Sequence, residues 1–258
     1  MEISRRHFLK IGGICVLGLV AQPLVKAFAQ SDVSKASRDP KALTGKKWGL
    51  VFDATKCKYS EGCRECILSC HRTHNVPAID DKKEEIKWIW AEPYENAFPG
   101  QGHEYIAAEI KEKPFIVLCN HCTDPPCVRV CPTKATFKRE DGIVMMDYHR
   151  CIGCRFCMAA CPYGARSFNF KDPRPFIKEE NKEYPTREKG VVEKCNFCVE
   201  RLDAGLMPAC VEACPHKALF FGDLEEPGSD VSKILRSHYT IQRKPELGTR
   251  PNVYYIIV

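Results

Sequence analysis

The sequence is poor in most of what a catalyst or a membrane span needs. It has no apolar run of about 20 residues; the longest, Ile11 to about Val25, is shorter and contains Pro23. No glycine-rich loop of the phosphate-cradling kind follows a strand, and no nucleophile is paired with a base at a telling spacing. No cluster of residues marks a substrate pocket. Asp80-Asp81 and the Glu/Lys runs near 178–189 read as solvated loops. The chain alone is therefore expected to convert no small molecule. An excess of one charge is also lacking once the chain is read as its parts. The formal +6 includes Arg5, Arg6, Lys10 and Lys26 against Glu2 in residues 1–29; without them 35 basic residues face 32 acidic ones, a formal +3. This balance gives no reason to read nucleic-acid binding.

Cysteine is what the chain has. Of 17 cysteines, only Cys15 stands outside a group of four. Cys151, Cys154, Cys157 and Cys161-Pro162 are spaced C-x2-C-x2-C-x3-C-P, the bacterial ferredoxin spacing for [4Fe-4S] clusters. Cys119, Cys122, Cys127 and Cys131-Pro132 follow the same plan with two extra residues, so eight cysteines fall within 43 residues. Cys57, Cys63, Cys66 and Cys70 run x5, x2, x3, the first gap three residues too long. Cys195, Cys198, Cys210 and Cys214-Pro215 have an x11 gap, so a loop at Val199–Pro208 is expected between the second and third cysteines. Four groups of four are the count that four cubanes require, with all sixteen thiolates as iron ligands. With about −2 for each oxidised cubane and its thiolates, the loaded mature chain would be near −5. Structural zinc would favour two C-x2-C pairs some 12–20 residues apart. Disulfides are the other alternative in an oxidising compartment, but triplets leave an odd member.

Ser4-Arg5-Arg6-His7-Phe8-Leu9-Lys10, the apolar run and Ala27-Phe28-Ala29 read as a twin-arginine export signal over residues 1–29, cleaved before Gln30. An amphipathic or anchoring helix is the competing reading. That route carries folded, cofactor-loaded proteins, so the leader and the cysteines support each other. Residues 30–46 read as a polar linker and 47–258 as the cluster-binding domain.

Strands are expected at Trp48–Phe52, Ile86–Trp90, His103–Ile110, Phe115–Leu118, Ile143–Asp147 and Leu219–Gly222, and a capped helix from Ser229 to His238. A charged loop spans Lys171–Lys189. Val253–Val258 reads as a strand, either core or an edge docked on a partner. The fold class is α+β: two nested two-cluster ferredoxin-like units, the inner at 119–162 and the outer built from 57–70 plus 195–215. Lys134, Arg129, Arg155 and Arg64 stand in or beside the cysteine loops as candidates to tune cluster potential, against a reading as ordinary solvated cations. His71 and His74 read as helix-terminal hydrogen-bonding residues, with alternative ligand or proton relay as the other options. Trp88, Trp90, Tyr163 and Phe156 read as core around the clusters.

The four groups, with Cys119-Asn120-His121-Cys122, Cys151-Ile152-Gly153-Cys154 and Pro251-Asn252-Val253-Tyr254-Tyr255, closely resemble the four-cluster iron–sulfur subunits of membrane-bound oxidoreductases over about residues 47–258. These are the electron-transfer subunits of formate dehydrogenase, polysulfide, dimethyl sulfoxide and periplasmic nitrite reductase, and hydrogenase types. The resemblance implies crossed ligation. Cys57, Cys63 and Cys66 would share a cluster with Cys214, and Cys195, Cys198 and Cys210 with Cys70. Cys119, Cys122 and Cys127 would pair with Cys161, and Cys151, Cys154 and Cys157 with Cys131. Cys70-His71 continuing into His74-Asn75-Val76-Pro77, together with the leader, is similar to the periplasmic subunit of Dsr-type complexes of sulfate reducers and sulfur oxidisers. That resemblance implies a quinone-reactive multi-span membrane partner and a periplasmic multihaem cytochrome c. A molybdopterin subunit is the alternative partner, and a free ferredoxin-like carrier the alternative class. Replacing both Arg5 and Arg6 by Lys is expected to strand the protein in the cytoplasm; cell fractionation that finds mature protein outside at normal levels would refute the twin-arginine reading.

Overall fold

The computed structural model describes residues 39–258; the leader, Cys15 and the first part of the linker stretch lie outside the described residues. Lys41–Val258 forms one unit, and the Leu43 N–H already donates to the Leu202 carbonyl at 2.8 Å. In chain order the elements are β1 (Trp48–Asp53), α1 (Glu65–Thr73), β2 (Ile89–Pro93), α2 (Tyr94–Ala97), α3 (Ala108–Glu112), β3 (Pro114–Leu118), α4 (Pro126–Arg129), β4 (Thr136–Lys138), β5 (Val144–Met146), α5 (Phe156–Ala160), β6 (Ser167–Phe168), β7 (Val192–Glu193), α6 (Val199–Asp203), α7 (Ala209–Glu212), β8 (Leu219–Asp223), α8 (Asp230–Ser237) and β9 (Val253–Ile256). The class is α+β, with elements mostly shorter than two helical turns.

β1 is apolar along nearly its whole length and buried at every position. Such a run suits a strand covered on both faces rather than one that alternates. It is the middle of a three-stranded sheet, antiparallel to β8 (Leu50 opposite Phe221) and parallel to β9 (Phe52 opposite Tyr255). One face carries Val51 and Ile256 against Val231 of α8. Ser229 caps that helix by accepting the Ser232 N–H at 3.1 Å. The other face carries Phe52 and Tyr255 into an aromatic cluster in which Phe98 meets Phe115 at 5.3 Å and Tyr255 at 5.1 Å, both edge-on. The C-terminal strand is therefore core to the sheet, although it forms one of its edges.

The strand pairs have a common placement. β2 and β3 join the end of the first cysteine group to the start of the second. β4 and β5 join the second group to the third, and β6 and β7 the third to the fourth. β8 leaves the fourth group and pairs with β1, which leads into the first. Each antiparallel pair fixes where one group ends against where the next begins.

Four expectations differ from the structure. His103–Ile110 is a turn running into helix α3 rather than a strand. Ile106 and Ile110, four residues apart, both pack on the core, which is a helical spacing. The strand expected at Ile86–Trp90 begins only at Ile89, because the Lys87 N–H is taken by the Ser167 hydroxyl at 2.8 Å. The Val199–Pro208 insertion holds a helix, α6, closed by Gly205 at φ +78°. Phe156, expected in the core, is 59% exposed. Phe98→Ala removes a fully buried ring from the centre of the aromatic cluster; a loss of about 3–5 kcal/mol is expected, read from anaerobic denaturant unfolding of the loaded protein.

Candidate metal centres

The same backbone device recurs in all four cysteine groups. The residue just before the second cysteine is left-handed in each: Gly62 (φ +96°), His121 (+40°), Gly153 (+67°) and Phe197 (+56°). A positive φ there reverses the chain over two residues and turns successive N–H groups to one side. Glycine adopts it at no steric cost, whereas His121 and Phe197 carry a cost of about 1–3 kcal/mol each. Those two rings stack on one another with centroids 3.7 Å apart. Gly153 has a second constraint: a Cβ would stand 2.4 Å from the Gly190 carbonyl oxygen. After each Cys-Pro a further left-handed residue follows at the same offset, at Lys134, Gly164 and Lys217. The x5 gap in the first group is absorbed by a 3-10 turn, Tyr59–Glu61, that ends on Gly62.

These turns gather the thiols into sets drawn from different groups. Cys57, Cys63, Cys66 and Cys214 line one cavity walled by Phe52, Ile116 and Leu219. Cys119, Cys122, Cys127 and Cys161 line a second, with Val144, Tyr163 and Arg166. Cys131, Cys151, Cys154 and Cys157 line a third, with Met146 and Val192. Cys70 is surrounded by Cys198, Cys195 and Cys210. The last set is closed by α1 packing on α7, where the Ser69 hydroxyl donates to the Ala209 carbonyl at 3.2 Å. All sixteen cysteines are free thiols.

The donor chemistry of these sets fits iron–sulfur clusters. Burial pushes the thiols up: Cys66 to about 12, with the neighbouring Cys214, Cys57 and Cys63 adding to the rise. Cys122 and Cys195 are likewise pushed to about 12, by burial first and by Cys119 second. Cys70 lies well above the ordinary thiol value for the same two reasons. Four such thiols can ionise together only around cationic charge, which a metal cluster supplies. Backbone N–H groups are aimed at the sulfurs: Ala218 at Cys214 Sγ (3.3 Å), Ala209 at Cys198 Sγ (3.4 Å), Thr136 at Cys131 Sγ and Phe197 at Cys195 Sγ (both 3.5 Å). Hydrogen bonds to sulfur are one of the means by which a protein sets a cluster's potential.

The tuning candidates divide. Arg64 lies over the Tyr59 ring and donates to the Tyr59 and Cys63 carbonyls at 2.7 and 2.8 Å, so it braces the first loop. Arg155 sits over the rings of Phe168 and Phe170. Lys134 occupies the left-handed turn and Arg129 the last turn of α4. His74 ends α1: its Nδ1 lies 2.9 Å from the Cys70 carbonyl oxygen, and its Nε2 lies 2.7 Å from Glu200 Oε1. The ligand atoms of His74, Cys198 and Glu200 are within 4.8 Å of one another. Since Cys198 already belongs to a four-thiol set, this trio forms the rim of that set. Burial pushes the His71 imidazole down to about 4, against a backbone bond to Ile89. Trp88, Trp90 and Tyr163 are buried as expected.

Several functional residues carried no mark in the sequence. Arg166 is buried and donates to Cys127 Sγ at 3.1 Å. Lys194 is fully buried and donates to the Val144 and Cys195 carbonyls. Arg187, in the segment read as a solvated loop, forms a buried ion pair with Glu193 at 2.7 Å and donates to the Asn75 carbonyl at 2.9 Å. Glu193 also accepts from the Trp88 indole at 2.9 Å and from Asn169 at 2.6 Å. That loop is thus tied to the end of α1, with Asn75 Nδ2 donating to the Asn181 carbonyl at 2.9 Å. Their nearness to cysteines in sequence could have drawn attention to Arg166 and Lys194, but nothing in the local pattern separates them from exposed cations such as Arg150.

Known proteins are similar to this chain in sequence. The family described as "4Fe-4S dicluster domain" matches residues 113–174 and 180–224. The Hdr-like menaquinol oxidoreductase iron-sulfur subunit 1 of Archaeoglobus fulgidus is 40% identical over 98% of this chain and 97% of its own length. Protein NrfC of Escherichia coli is 35% identical over 99% of this chain and 96% of its own. The menaquinone reductase iron-sulfur cluster-binding subunit of Nitratidesulfovibrio vulgaris is 36% identical over 81% and 88%. With its cysteine sets built as they are, the chain belongs to this family of electron-transfer iron–sulfur subunits of oxidoreductases and carries [4Fe-4S] clusters.

Proposed function

We propose that the chain is a four-cluster relay on the outer face of the cytoplasmic membrane, passing single electrons between a quinone-reactive integral membrane subunit and a partner redox subunit. The observation that carries this reading is the sorting of sixteen thiols into four sets of four. In it, Cys57, Cys63, Cys66 and Cys214 hold one cluster and Cys70, Cys195, Cys198 and Cys210 the next. Cys119, Cys122, Cys127 and Cys161 hold the third, and Cys131, Cys151, Cys154 and Cys157 the fourth. Bound there, the clusters supply one-electron redox chemistry.

The chain's own residues do the rest. Helix α1 presents Cys66 to the first set and Cys70, one turn on, to the second. The second group presents Cys127 to the third set and Cys131 to the fourth. The two inner sets thus form one nested ferredoxin-like unit and the two outer sets another. Apolar walls such as Phe52, Ile116 and Val144 keep water from the sulfurs, and the backbone N–H donors hold them in place. The menaquinol and menaquinone in the relatives' names support a quinone-linked partner. Among the described residues no helix is long and apolar enough to cross a membrane; in this reading the partner supplies the span, and the twin-arginine leader supplies export. A Dsr-type complex of sulfur metabolism, with a multihaem cytochrome c, is the assignment we favour.

Two experiments test this. Crossed ligation requires that Cys66→Ser and Cys214→Ser alter the same EPR signal, and that Cys70→Ser and Cys195→Ser alter another; Cys66 and Cys70 sharing a signal would overturn the sets. An anaerobic pull-down from detergent-solubilised membranes should bring a multi-span membrane protein and c-type haem. A molybdopterin subunit in their place makes the chain the relay of a substrate-converting enzyme, and a soluble monomer makes it a free carrier.

A further inference from the structure

Four arginine and lysine side chains are buried among the described residues; one, Arg243, donates to the Ala97 carbonyl at 3.0 Å and lies over the Tyr163 ring. Arg187 is neutralised by a buried carboxylate, Glu193 at 2.7 Å. Arg166 and Lys194 are not: neither forms an ion pair with a carboxylate among the described residues, although they are 5% and 0% exposed. A buried charge without a partner is strongly destabilising, so each must find its counter-charge elsewhere. Both find it in cysteine sulfur. Arg166 lines the Cys119, Cys122, Cys127 and Cys161 cavity, and donates to Cys127 Sγ at 3.1 Å and to Thr136 Oγ1 at 3.1 Å. Its charge also acts on Cys157 of the neighbouring set. Lys194 is held by the Val144 and Cys195 carbonyls, between Cys195 of one set and Cys119 and Cys127 of the next.

Both cations therefore act on one thiol set, through Cys119 and Cys127. Of the other three sets, the Cys131 set meets Arg166 through Cys157 and the Cys70 set meets Lys194 through Cys195, while in the Cys57 set the charged neighbours are its own thiols and, at Cys57, Lys113. We propose that Arg166 and Lys194 are paired tuning residues that make the cluster held by Cys119, Cys122, Cys127 and Cys161 the most readily reduced of the four. This rests on the ligand sets proposed above. Reduction adds one electron, breaks no bond and takes up no proton, so the formal charge of the cluster with its thiolates goes from about −2 to about −3. A guanidinium, which cannot lose its proton in a protein, favours that added charge at any working pH. At this depth water does little to screen it. Such a site holds the electron midway along the relay.

The test is an anaerobic redox titration with dithionite, followed by EPR, on the complete cluster-loaded protein. The signal to follow is the one abolished by Cys122→Ser. In Arg166→Gln, at the potential where the native cluster is half reduced, the reduced-to-oxidised ratio is expected to fall about tenfold, which is ~59 mV for one electron. Arg166→Lys is expected to recover most of that fall, and Lys194→Gln to lower the same signal. The signal abolished by Cys66→Ser should stay where it is. Should Arg166→Gln lose iron, Arg166→Lys and Lys194→Gln decide the matter by the same readout. Unchanged potentials at full iron content, an equal shift of all four signals, or a native signal that is not the first to be reduced would overturn the proposal. Wrong ligand sets would show separately, as Cys122→Ser and Cys161→Ser altering different signals.

Discussion

Packed thiols can ionise together only if something positive takes the place of their protons, and most of this structure is arranged around that electrostatic constraint. Burial first, and neighbouring sulfurs after it, raise Cys66, Cys122 and Cys195 to about 12. The clusters supply most of the compensating charge. Backbone N–H groups supply more, from turns that put a left-handed residue before the second cysteine of every group. Two of those residues, His121 and Phe197, accept an unfavourable backbone conformation and stack against each other. Local strain is tolerated where surrounding structure over-determines it. Here a metal set and a ring stack do so together.

The rest of the fold is thin, and its economy follows from the same constraint. Elements are short, and three of the sheets have only two strands. Two-stranded pairs are marginal on their own. They persist here because each lies between two cysteine groups, so loading either side holds its ends. The one larger sheet closes the arrangement by bringing β1 onto β8 and β9, from opposite ends of the described chain. Binding free energy at such metal sites is folding free energy.

The cysteine groups and most strands were legible in the sequence, because spacing and apolar runs are local properties. The helix capped by Ser229 was legible for the same reason. What escaped depended on distant partners. His103–Ile110 has strand-like composition, yet Ile106 and Ile110 meet the core as a helix does. The 178–189 stretch is charged, yet Arg187 reaches inward because Glu193, Asn75 and the Trp88 face wait there. Phe156 looked like core and is exposed beside a buried Cys157, since α5 is too short to hide both faces. The turn conformations of His121 and Phe197 have no marker of their own, unlike Gly62 and Gly153 in the same role.

Sorting the thiols across groups has a consequence for assembly. Cys214 must return to Cys57, Cys63 and Cys66 from more than a hundred residues away, and Cys70 must meet Cys195, Cys198 and Cys210. The inner groups lie in the chain between the residues that each outer set brings together. Closing loops of that length costs little more than closing shorter ones, because the entropy grows only with the logarithm of length. The inner sets draw all their thiols from residues 119–161, whereas the outer sets join distant segments that are also held together by β1, β8 and β9. Thiol sets that join distant parts of one chain cannot survive its unfolding, so metal held in them and the fold are kept or lost together.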